Sequence, residues 1–146
     1  MGILVLALGV FAYGLWSVKD KPTIQASPGE NAPPATSFSP QVNSEGGVDT
    51  SVTPLSLDKD SDWTFEIVLD THSGDLSEDL LTVAALADDS GKIYLPKAWE
   101  GAPPGGHHRE GILVFTPVSP YPSSATLIIK NVAGIPERSF SWDLSR

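Results

Sequence analysis

The chain has 146 residues, the length of one domain. Eighteen Asp and Glu against nine Lys and Arg leave a net charge of -9, which repels phosphate backbones and argues against a nucleic-acid partner. The absence of Cys removes disulfides, thiolate metal sites and cysteine nucleophiles, and 13 Gly with 13 Pro rule against a helical bundle.

In chain order, the first feature is Met1 to Val18, which holds no charged side chain. Such a run is at the short limit of a helix that spans a hydrocarbon core of about 30 Å. Tyr13 and Trp16 near its end suit the interface, and Lys19 and Lys21 suit the headgroups. It reads as a transmembrane anchor through which the chain partners a membrane. The alternative, a cleaved signal segment, would need a basic start and a small-residue cleavage site, and neither is evident. Lys19 and Lys21 pull their side toward the cytoplasm, whereas the α-amino group and Asp20 weigh the other way. The globular part is expected to be extracytoplasmic, at a cell surface or in a periplasm-like space.

Residues 19–47 read as a flexible linker. Twelve of the 26 residues from Pro22 to Gly47 are Pro, Gly or Ser, and only Ile24, Phe38 and Val42 are large and apolar. A stretch of that composition buries too little to offset its ordering entropy, and its prolines extend it.

Residues 48–146 read as one all-β domain. Trp63, Phe65, Ile67 and Leu69 alternate with polar residues, as do Phe140, Trp142 and Leu144, the period of half-buried strands. Val48–Leu57, Leu81–Ala87, Ile93–Leu95, Gly111–Phe115 and Ala125–Lys130 complete seven candidates, with a hairpin turn at Asp88–Gly91. Leu81–Ala87 also has the composition of a helix. Seven strands in this length predict an antiparallel sandwich of immunoglobulin or fibronectin III type, without the Cys-Trp-Cys signature.

The histidines all fall at strand ends. His72 leaves the second strand, and His107 and His108 enter the fifth, which neighbours it in this architecture. Alternation puts Asp70, His72 and His108 on one outer face and turns His107 away, unless Gly105 and Gly106 break the parity. Asp70, His72, His107 and His108 are therefore candidate metal ligands, and imidazole with carboxylate and no thiolate suits Zn²⁺ or Cu²⁺. The competing reading is ordinary loop polarity. Trp99, with Arg109, lines the long Trp99–Gly106 loop as a candidate ligand-binding pair, or else caps the core. The carboxylates at Asp58, Asp60 and Asp62 start like an EF-hand loop, but Leu69 stands where the closing Glu belongs, so they read as a solvated edge.

The segment Ile67-Val68-Leu69-Asp70-Thr71-His72-Ser73 resembles the hydrophobic-Asp-Thr-Gly-Ser element of aspartic proteases, and a retroviral-type dimer would pair two such carboxylates. Leu127-Ile128-Ile129-Lys130 resembles their second element, but His72 and Lys130 replace both diagnostic glycines. No other catalytic motif is intact, which points away from an enzyme. More broadly, Asp-Thr-His-Ser, Trp99-Glu100-Gly101, Gly105-Gly106-His107-His108-Arg109 and Pro136-Glu137-Arg138-Ser139-Phe140-Ser141-Trp142 resemble a group of uncharacterised membrane-anchored prokaryotic extracytoplasmic domains. That resemblance implies an anchored module outside the cytoplasm. The leading expectation is a binding module, and the second is a structural subunit that self-assembles into a surface filament.

Overall fold

The computed structural model describes residues 38–145. The expected anchor at 1–18 and most of the linker lie outside the described residues. Among the described residues nine strands follow one another as β1 (Gln41–Glu45), β2 (Val48–Ser56), β3 (Trp63–Thr71), β4 (Ala84–Asp88), β5 (Ile93–Tyr94), β6 (Ala98–Gly101), β7 (His108–Phe115), β8 (Ser124–Val132) and β9 (Ile135–Asp143). All pairings are antiparallel, in a five-stranded sheet ordered β1-β2-β3-β7-β6 and a four-stranded sheet ordered β5-β4-β8-β9.

The period-2 pattern explains why the sheets meet. Trp63, Phe65, Ile67 and Leu69 of β3 and Leu127, Ile129, Phe140 and Trp142 of β8 and β9 all enter one buried core. Phe65 touches Trp142 of the opposite sheet, with ring centroids 5.5 Å apart. Polar neighbours on each strand face outward, so burying one face of each sheet yields a sandwich-like body.

Three local features differ from the sequence expectation. β1 lies in the stretch read as linker, because its polar residues are held by hydrogen bonds rather than by apolar burial. β6 forms at the start of the loop expected from Trp99, where Gly101 and Gly111 let two backbones approach closely. A Cβ on Gly111 would sit 2.5 Å from the Gly101 Cα and 2.8 Å from the Trp99 ring. Finally, Leu80–Val83 form one helical turn, α1, before β4 begins. Asp79 caps it, accepting from the Leu81 N–H at 3.0 Å, and Leu80 is buried beneath. The Asp88–Gly91 turn forms as expected: the Asp88 carboxylate accepts from the Ser90 and Lys92 amides, both at 2.9 Å.

The pairing registers sort the connections into two ends. The turn at 46–47, the loops 72–79 and 102–107 and the turn at 133–134 share the loop end. Residues 38–40 and 144–145 lie at the opposite end with the loops 57–62, 89–92 and 116–123. There Leu144 N–H donates to Ser123 O at 2.8 Å, and Trp142 Nε1 reaches Ser39 O at 3.5 Å.

Trp142→Ala should lower stability by about 3 to 5 kcal/mol, since it empties a large aromatic site between the sheets and removes the bond to Ser39. Urea unfolding checks this; a loss under about 1 kcal/mol would show that the inter-sheet contact does not matter.

Candidate functional site

The loop end is built on pairing that continues past the strands. β3 and β7 are neighbours in antiparallel register, with Leu69 opposite Arg109 and Asp70 opposite His108. Beyond them Thr71 N–H donates to His107 O at 2.8 Å, Leu76 N–H to Gly106 O at 2.9 Å, and Gly105 N–H to Leu76 O at 2.8 Å. The Asp75 carboxylate accepts from the Gly106 N–H. The loop after β3 and the loop before β7 are thus fastened to each other.

Alternation then decides what each side chain meets. Asp70 and His108 face outward, and His108 Nδ1 lies 2.5 Å from Asp70 Oδ1. On the other side, His108 Nε2 lies 3.7 Å from Glu110 Oε2. The imidazole pKa is raised, first by the hydrogen bond to Asp70, then by that carboxylate's charge, with a smaller contribution from Glu110. His72 and His107 are exposed, and neither joins this pair. Of the four candidate metal ligands the fold therefore unites two. Among the described residues no group of three or more His, Cys, Asp or Glu side chains is placed to hold a metal ion.

Arg109 is buried and Trp99 half-buried. Arg109 shares the inward parity of Leu113 and Phe115 and is 1 % exposed. Its Nη1 donates to Leu76 O at 3.2 Å and Glu78 O at 2.6 Å, and its Nη2 donates to Ala102 O at 3.3 Å. Trp99 packs against the core, donates from Nε1 to Ala102 O at 2.8 Å, and places its ring 5.7 Å from the Arg109 guanidinium carbon. Both side chains hold the two loops from below.

The sequence reading passed over a second buried arginine. Arg138 of β9 is also 1 % exposed; Nε donates to Asn43 Oδ1 at 3.0 Å, Nη1 to Val132 O at 2.8 Å and Nη2 to Glu45 O at 2.7 Å. Desolvation lowers the pKa of both arginines, and the nearby Glu78 carboxylate opposes that shift at each. Parity offered a signal: Arg109 aligns with Leu113 and Phe115, and Arg138 with Phe140 and Trp142. A cation in an inward position must find acceptors there.

Chemically, the loop end presents exposed imidazoles and carboxylates on a backbone fixed by internal bonds. It has polar contact groups and one His–carboxylate pair. Compared with protein-family models, curated proteins and solved structures, the chain matches none.

Arg109→Met should cost roughly 2 to 4 kcal/mol, because three carbonyls lose charged donors inside the fold. Amide exchange in residues 102–107 should speed up, and Arg109→Lys should not restore protection, since an ammonium cannot span the same acceptors. Unchanged exchange in Arg109→Met would refute the clamp.

The His108 contact gives a signed pH dependence. Its folded-state pKa lies above the unfolded value of about 6.5, so its stabilising contribution is complete below that pH and is lost as pH rises through the folded-state value. Urea midpoints of the parent chain should therefore fall relative to His108→Gln across that window. Parallel profiles would show that the pair contributes nothing.

Proposed function

We propose that the chain is a membrane-tethered extracytoplasmic binding module of immunoglobulin-like build that presents its loop end away from the bilayer. The observation that carries this reading is the separation of the ends. Residue 38, where the chain enters the described domain, lies opposite the loops that bear His72, His107 and the Asp70–His108 pair. An uncharged apolar run followed by a Pro, Ser and Gly-rich spacer supports the tether. The strand orders β2-β3-β7-β6 and β4-β8-β9 support the immunoglobulin-like reading, since they follow the A-B-E-D and C-F-G orders of that architecture.

On this reading the exposed groups at 70, 72, 107 and 108 meet the ligand, while Trp99 and Arg109 fix the loops beneath them. Zn²⁺ or Cu²⁺ would find Asp70 and His108 already together and would draw His72 or His107 into the coordination sphere. A preorganised polar loop end suits a ligand that exchanges hydrogen bonds with it at little ordering cost.

Because the chain has no Cys, His107→Cys gives one defined thiol at the loop end. A membrane-impermeant maleimide should label it on intact cells, and labelling only after lysis would overturn the extracytoplasmic reading. Zn²⁺ or Cu²⁺ at about pH 7.5 should raise the unfolding free energy by about 2.7 kcal/mol at a hundredfold excess over Kd, and should do so less in His108→Ala. An equal gain in both chains would place the metal elsewhere.

A further inference from the structure

Among the described residues β1 pairs with β2 alone, yet its other side is occupied. Gln41, Asn43 and Glu45 stand opposite Val52, Thr50 and Val48, the inward positions of β2. Apolar side chains would be expected there, but all three residues are polar, and the Gln41 and Asn43 side chains and the Glu45 carbonyl bond to β9. The Gln41 amide donates from Nε2 to Ser141 O at 2.5 Å and accepts from Ser141 N–H at Oε1, 3.2 Å away. A primary amide offers a donor and an acceptor side by side, so it occupies this edge as a neighbouring strand would. Asn43 Oδ1 and Glu45 O take two of the Arg138 donors, and Ser39 O takes the Trp142 indole N–H. β9 is the nine-residue edge of its sheet, and long open edges recruit other strands.

Three properties make this strap exchangeable. No residue from Gln41 to Glu45 belongs to the buried core and Val42 is 65 % exposed, so lifting the strand gives up hydrogen bonds, which an equivalent strap can remake, and from the core only the packing of Phe38. The hinge is Gly46–Gly47, with φ of +62° and +74°, and glycines can pass from this turn to an extended form without a side-chain penalty. The vacated cradle would leave Arg138 only its bond to Val132 O, with a buried charge short of acceptors.

We propose that residues 38–47 are an exchangeable strap, and that the surface they cover is an interface for the same strap of a second copy of this chain. The cradle selects that occupant: it needs a strand with an amide opposite Ser141, a side-chain oxygen opposite the Arg138 Nε and a main-chain carbonyl two residues further on, and Gln41-Val42-Asn43-Ser44-Glu45 supplies all three. Exchange between copies remakes each contact, so concentration sets the balance. Reciprocal exchange closes a dimer, and passing the strap onward builds an open chain. The proposal is independent of what the loop end binds.

The test uses two full-length variants, Pro40→Cys and Ser141→Cys, which keep the Gln41 amide and the backbone groups of residue 141. They are mixed in detergent, equilibrated over a range of concentrations and linked with a short bismaleimide. Exchange predicts an interchain 40–141 product that rises with concentration above a control pair of Pro40→Cys with Leu95→Cys. Adding Gln41→Ala and Asn43→Ala to the Pro40→Cys chain should return the product to control level. Product at control level at every concentration, with linking only inside a chain that carries both Pro40→Cys and Ser141→Cys, would overturn the proposal. So would interchain product that ignores Gln41→Ala and Asn43→Ala.

Discussion

Two guanidinium groups buried among main-chain carbonyls set the constraint from which the loop end follows. Removing a cation from water is costly, and neither Arg109 nor Arg138 has a carboxylate within ion-pair distance among the described residues. The compensation is oxygen atoms at this end of the fold: the loop carbonyls of Leu76, Glu78 and Ala102 around one guanidinium, and the Asn43 amide oxygen with the strand-end carbonyls of Glu45 and Val132 around the other. Each arginine therefore demands oxygens in these places, because a segment that moves away without an equivalent one taking its place would strand a charged donor. Guanidinium does this where ammonium could not, since its planar fork reaches acceptors in several directions. Glu78 touches both regions: its carbonyl accepts from Arg109, and its carboxylate lies 3.5 Å from the Ala133 N–H beside Val132.

The sandwich-like body was legible from the sequence because its strands obey the simplest rule, alternation around one core. Trp63 to Leu69 and Phe140 to Trp142 could be placed by period alone. β1 was not legible because its inward positions, Gln41, Asn43 and Glu45, answer to the edge of another strand, a demand that no local pattern records. β6 was hidden by the opposite difficulty. Trp99-Glu100-Gly101 looks like a loop until Gly111 is known to lie across from Gly101, and that pairing is a property of the tertiary structure.

At the loop end the same division holds. The Asp70–His108 contact was accessible to reasoning, since antiparallel neighbours with known parity must bring those positions together. His107, one place before His108 on the same ladder, stays out of that pair, whereas His72 follows the last residue of β3 and has no strand partner to fix where it goes. Arg109 was read as a candidate ligand-binding residue although the alternation that turned His108 outward also turned its neighbour inward. A charged residue in an apolar register is a structural statement that composition alone conceals.

The chain enters the described domain and leaves it at the same end. Topologically the domain is a loop closed on one side, able to be spliced into a host protein or prolonged beyond its last residue without crossing its own far surface. A reporter or enzyme joined to the C-terminal side would follow Ser145, which lies at the end where residue 38 enters. The turns at 46–47 and 133–134 and the loops between them would stay uncovered, and a fusion there could report location while leaving that surface to its own partners.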